Sequence, residues 1–166
     1  MRTILSSKME NALNKQINTE FWSAYLYLSM SYDMKAKGWN GISSWFFEQA
    51  KEEFAHAKRI MDYIMSVDGK VILKPIEEVQ LAWNSPKDAF ENTLMHEKIV
   101  TEKVHELMSL AIELKDYASQ NMLKWFIDEQ VEEEDTARGY LQALQAIDGD
   151  KSAMYLFDRE LGTRAK

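Results

Sequence analysis

The segment Glu48-Gln-Ala-Lys-Glu-Glu-Phe-Ala-His-Ala-Lys-Arg-Ile60 has the spacing of an amphipathic helix, yet Glu53 and His56 fall on its apolar face. Followed at alternating steps of four and three, that face reads Ile42, Phe46, Gln49, Glu53, His56, Ile60, Tyr63 and Val67. It is apolar at both ends and polar in the middle. Three other stretches behave alike. One carries Leu13, Ile17, Glu20, Ala24 and Tyr27; another Phe90, Leu94, Glu97, Thr101, Val104 and Met108. The last carries Met122, Phe126, Gln130, Glu133, Ala137, Tyr140, Leu144 and Ile147. Folded together, the four stripes project Glu20, Glu53, His56, Glu97, Gln130 and Glu133 into one interior.

The breaks between stripes set the architecture. Ala36-Lys-Gly-Trp-Asn-Gly41 separates the first two helices, and Ser85-Pro86 is an N-cap followed by proline at the first helical position. Leu114–Gln120 is a weaker break, open to reading as a kink or a tight turn, and Gly149 is placed as a helix stop. Helices are expected over about 8–36, 41–67, 86–114 and 118–147, with a short one at about 151–161. Residues 67–88 are the only long stretch without helical periodicity. Short links join antiparallel neighbours, whereas a long link can cross the bundle and set helices two and three parallel. The expected fold is all-α: one domain over 1–166, a four-helix bundle over about 8–147 with a long crossover, and a short fifth helix. Only 6 Gly and 2 Pro in 166 residues agree with long helices.

Composition narrows the function. A net charge of −7 argues against nucleic acid and is compatible with attracting cations. No apolar run is long enough to span a membrane. The opening residues lack the apolar core of a signal peptide, so a cytoplasmic protein is expected. Without cysteine there are neither disulfides nor thiolate metal sites.

Carboxylates buried without Lys or Arg on the same stripes cannot all remain ionised unless a cation neutralises them. Two divalent ions balance Glu20, Glu53, Glu97 and Glu133, and Glu53 is central enough to bridge them. Oxygen donors with a single imidazole suit iron or manganese over a softer metal. Zinc is a competitor, although a structural zinc site needs fewer oxygens. Taken singly, each Glu is better read as solvated and His56 as a hydrogen-bonded core residue. Their concurrence on four stripes outweighs that, as do matched intervals: 33 residues separate Glu20 from Glu53 and Glu97 from Gln130.

Across nearly its whole length, from Leu13–Met30 through Gln49–Ile64 and His96-Glu-Lys98 to Leu123–Glu134 and the closing short helix, the chain resembles the non-haem ferritins of bacteria and archaea. The resemblance implies oxidation of Fe(II) by oxygen or peroxide and storage of ferric mineral in a hollow homo-oligomer, a shell of twenty-four subunits. It implies a first iron held by Glu20, Glu53 and His56, and a second by Glu53, Glu97 and Glu133, with Gln130 beside them. A third iron site would correspond to Glu52, Glu129 and Glu132, with Glu133 shared; on spacing alone these acids are as well explained as a solvated face. Tyr27 matches a tyrosine placed to hydrogen-bond a ligand and supply an electron. Trp125 reads as packing, and His96 and His105 as surface or structural residues. Haem is not expected, because the second Glu-x-x-His of haem-binding relatives reads Gln130-x-x-Glu133, and Phe54 stands where their axial Met follows the bridging Glu. Two rivals make different predictions: a dimetal oxidase with an organic substrate needs an apolar channel, and a helical interaction module leaves the buried acids unexplained.

Overall fold

The computed structural model describes residues 4–166, so the first three residues of the opening stretch lie outside the description. Five helices follow in order: α1 (Ser7–Ala36), α2 (Asn40–Ser66), α3 (Pro86–Glu113), α4 (Tyr117–Ile147) and α5 (Lys151–Leu161). The expected boundaries agree to within a residue or two. Ser6 caps α1 by accepting from the Met9 amide, and Ser85 caps α3 by accepting from Asp88 N–H, with Pro86 opening the helix. The weak break before α4 is a tight turn. Lys115 is left-handed (φ 52°) and the Asp116 side chain accepts from Ser119 N–H. At 27 to 31 residues, each bundle helix is about 40–45 Å long at 1.5 Å per residue.

Side-chain pairs fix the helix directions. Phe46 stacks near Phe90, and Glu53 shares a cluster with Glu97, so α2 and α3 run parallel. Tyr27 donates to Glu97 while Ser23 meets His96 and Met30 meets Thr93, so α1 and α3 share one end of the bundle. Residues 67–85 make this possible by running the length of α1. Glu10, Asn14, Asn18, Trp22, Ser29 and Asp33 lie at helical spacing on one face of α1, and all six bond to that strap. Asn14 is bound twice, donating to the Lys70 carbonyl (2.9 Å) and accepting from Ile72 N–H (2.7 Å). Polar side chains thus satisfy strap backbone groups that have no sheet or helix partner.

The apolar core is divided in two. One cluster contains Leu13, Ile17, Ile60, Ile64, Val104 and Phe126. The other contains Tyr27, Ile42, Phe46, Phe90, Leu144 and Phe157. Between them lie the polar residues of the four stripes. On the α1 stripe Ala24 is only half-buried, and Ser23, which donates to the Thr19 carbonyl, is fully buried instead. Helix α5 folds back onto α2, burying Phe157 and Leu161 while Tyr155 and Leu156 stay exposed.

Candidate metal centre

Each helix brings its polar residues to the centre by position along its inward face. Glu20 comes from α1, Glu53 and His56 from one turn of α2, Glu97 from α3, and Gln130 and Glu133 from one turn of α4. All six are buried, none more than 8% exposed. Two groups of three have ligand atoms within 4.8 Å of one another: Glu20, Glu53 and His56, and Glu53, Glu97 and Glu133. Glu53 belongs to both. Among the described residues, no Lys or Arg forms an ion pair with any of these carboxylates; the cationic partner nearest Glu20 and Glu53 is His56.

The hydrogen bonds orient the donors. His56 Nδ1 lies 3.2 Å from Glu53 Oε2 and 3.8 Å from Glu20 Oε2. Gln16 donates to Glu20 Oε1 (3.0 Å), whereas Glu20 Oε2 is fully buried with no hydrogen-bond partner. Tyr27 donates its phenol proton to Glu97 Oε1. Gln130 Nε2 donates to Glu97 Oε2 (3.1 Å) and to its carbonyl (3.2 Å). Gln49 Nε2 donates to Glu133 Oε2 (2.8 Å) and to Glu53 Oε1 (3.3 Å). The carboxylates are therefore each steered by a neutral donor on the same or a facing helix, and an unpartnered oxygen remains in the middle. That donor set fits a hard divalent cation.

Electrostatics without a cation is correspondingly strained. Burial, then the charges of Glu97 and Glu20, push the Glu53 carboxyl well up against the pull of His56. Burial raises Glu97 to about 7 and, with the Glu97 charge, Glu133 to about 8. Burial disfavours the His56 cation, but hydrogen bonding and charge from Glu20 and Glu53 win and raise it to about 11. Burial also works to raise Glu20, yet His56 and the hydrogen bonds around it hold it below its usual value. Tyr27 is raised well above 10 by burial and the charge on Glu97, so its phenol keeps its proton. The metal-free site thus resolves its excess of acid by retaining protons at several carboxyls and on His56.

The three acids expected to form a further site differ in burial and in partner. Glu129 is half-buried and turns inward, its Oε1 3.7 Å from His56 Nε2; with His56 and Glu133 it makes a third group of close donors. Glu52 and Glu132 are exposed, and Glu52 is paired with Arg164 at 2.8 Å. All three acids, with Glu133, line one cavity of about 280 Å³. Glu129 turns inward because it is one helical turn from Glu133 on the same face of α4, whereas Glu132 is rotated toward solvent. Gln16, Gln49, Thr101 and Arg164 were not singled out from sequence. Gln49 and Thr101 lie on the polar centres of their stripes, which was the available signal; Gln16 and Arg164 carry none. Trp125 packs edge-on to His56 and beneath the Arg59 guanidinium (3.8 Å). His96 is buried against Ser23 (2.8 Å) and kept neutral by burial, its pKa lowered to about 4, while His105 is exposed.

Comparison with known proteins agrees with this arrangement. The family model described as a ferritin-like domain matches residues 10–147. A bacterial non-heme ferritin of Bacteroides fragilis is 38% identical over 161 residues, covering 97% of this chain and all of that one. One from Staphylococcus epidermidis is 36% identical over 162 residues, 98% of each chain. Among solved structures, an open pore ferritin from the hyperthermophilic archaeon Archaeoglobus fulgidus superposes with a TM-score of 0.96 at 43% identity, over 97% of this chain and 99% of that one. A family model spanning all four bundle helices, relatives similar from end to end and the same fold in a solved ferritin place this chain in the ferritin family.

Proposed function

We propose that the protein stores iron and is a ferroxidase: it takes Fe(II) into the centre of the bundle, passes its electrons to oxygen or peroxide, and delivers Fe(III) to a mineral inside a hollow homo-oligomer. Membership of the ferritin family supports iron storage and assembly. One observation carries the ferroxidase reading: two buried three-donor groups share Glu53, and no Lys or Arg balances them among the described residues. Glu20, Glu53 and His56 would hold one Fe(II), and Glu53, Glu97 and Glu133 the other. Two substrate ions joined by one carboxylate are positioned to give up two electrons together, which suits a two-electron acceptor.

The chain's own groups prepare the site. Entry of two Fe(II) displaces the protons held by Glu53, Glu97, Glu133 and His56, because a ligating carboxylate and imidazole must be unprotonated. Gln130 and Gln49 hold the carboxylates without adding charge. Tyr27 keeps its phenol proton, donates it in a hydrogen bond to Glu97, and would be the group to supply a further electron. Glu129, Glu52 and Glu132 line the cavity beside the centre, where oxidised iron, carrying more charge than four carboxylates balance, would pass on its way out.

Two measurements test the reading. Aerobic Fe(II) loading of purified assemblies should give a mineral-scale load. Two ions per chain would instead indicate an oxidase with another substrate, and none a scaffold. In stopped-flow absorbance, Glu53→Ala should abolish rapid Fe(II) oxidation while leaving the helices folded, since a buried acid has gone with the ligand. Wild-type oxidation in that variant would refute the assignment.

A further inference from the structure

The C-terminal tail returns to α2 beside the metal centre. Gly41, at the start of α2, lies so close to α5 that a Cβ there would stand 1.7 Å from the Asp158 carbonyl oxygen. The Asp158 carboxylate accepts from Ile42 N–H (2.8 Å), supplying a cap that Trp39 does not provide. With α5 docked in this way, Arg164 lays its guanidinium 4.6 Å from the centre of the Trp45 ring. Its Nη1 donates to the Trp45 carbonyl (3.0 Å) and to Gln49 Oε1 (3.1 Å), and its Nη2 pairs with Glu52 Oε1 (2.8 Å). Residues 45, 49 and 52 follow one face of α2, and the planar fork of an arginine can engage all three while stacking on the ring.

Gln49 is the link inward. Arg164 holds its amide oxygen, which turns the amide nitrogen toward Glu133 and Glu53. The reversed amide would place its oxygen against two carboxylates and its NH2 against a guanidinium, so Arg164 secures from the oxygen side the orientation that the carboxylates accept from the nitrogen side. We propose that Arg164 is a positioning residue for the metal centre: by fixing Gln49 it orients the Glu133 and Glu53 carboxylates and so strengthens the hold on the cation they share with Glu97. The inference rests on the dimetal reading above and adds a residue outside the four-helix bundle to it. Partners that orient metal ligands typically contribute ten- to a hundredfold in affinity.

The test uses Zn(II), which has no redox chemistry of its own, titrated calorimetrically into the metal-free assembled protein. Wild type, Arg164→Gln, Gln49→Leu and the double variant are compared. Wild type should take two Zn(II) per chain. Arg164→Gln and Gln49→Leu should each weaken one of the two on the order of tenfold. The double variant should be no weaker than Gln49→Leu alone, because Arg164 acts through Gln49. Additive losses would show that Arg164 acts by another route and overturn the proposal, as would an Arg164→Gln isotherm identical to wild type. A wild type that takes no Zn(II) sinks the dimetal reading and this inference with it. If Arg164→Gln does not fold, Arg164→Lys keeps a charge beside Glu52 without the planar fork, and the same weakening is expected; wild-type affinity there refutes the proposal.

Discussion

At Glu97 two neutral donors, Tyr27 and Gln130, converge on one buried carboxyl group. Tyr27→Phe removes the phenol from a fully buried position and leaves Glu97 Oε1 without its donor. The metal-free protein should lose about 1–3 kcal/mol, the usual cost of orphaning a buried acceptor, read by chemical unfolding; an unchanged midpoint would show the bond to be dispensable. Protonation of the same centre makes stability depend on pH. The folded metal-free chain holds protons on Glu97 to about 7, on Glu133 to about 8 and on His56 to about 11. The unfolded chain releases its carboxyl protons near 4.5 and its imidazole proton near 6.5. Across pH 5 to 8 the folded state therefore binds more protons, and stability falls as pH rises. Two groups work the other way: Glu20, whose lowered pKa acts below that window, and His96, lowered to about 4, which offsets part of the excess up to its unfolded value of 6.5 and leaves the protons of Glu97 and Glu133 to set the sign. A divalent cation replaces those protons, so it should raise the melting temperature more at pH 8 than at pH 5.5, with proton release on binding. A metal-free melting temperature that rises between those pH values would contradict this account.

Among elements, the strap over residues 67–85 and helix α5 hold the bundle from outside. Asn14→Ala removes both bonds that Asn14 makes to the strap and leaves the α1 backbone intact. It should speed amide hydrogen exchange at Ile72 and cost about 1–2 kcal/mol, one net hydrogen bond or slightly more; exchange at wild-type rate would mean the strap is held by its other contacts. Gly41→Ala is predicted to be the more disruptive change, because its methyl group meets backbone rather than a flexible side chain. Helix α5 must shift, at a cost of roughly 1–3 kcal/mol by analogy with overpacked cores. If Arg164 positions Gln49, this variant should also weaken Zn(II) binding, a readout that simple loss of stability would leave alone.

For the whole molecule, α5 has two faces. Phe157 and Leu161 are buried on the bundle, whereas Tyr155 (59%) and Leu156 (65%) are left to solvent in the isolated chain. In the proposed homo-oligomer, that outer apolar face would be covered by copies of the same chain. Light scattering at physiological salt should find a large homo-oligomer, and Leu156→Asp should shift it toward smaller species; a wild-type monomer or dimer would count against the shell.

The sequence by itself determined five helices, their order and the parallel setting of α2 and α3, since helix periods, caps and loop lengths are local properties of the chain. It also made Glu20, Glu53, His56, Glu97, Gln130 and Glu133 conspicuous, because an acid on an apolar stripe breaks a pattern that neighbouring residues establish. Only the tertiary structure decided which acids meet. Glu129 turns to His56 while Glu52 goes to Arg164, although both read alike as surface acids in helices. The strap-binding face of α1 was hidden for a related reason: Asn14, Asn18 and Ser29 are ordinary surface residues until a chain more than fifty positions away lies against them. Arg164 was the least legible of all. Its role depends on where α5 docks, and that contact depends on Gly41, far back in the chain at the start of α2, having no side chain where it meets the Asp158 carbonyl.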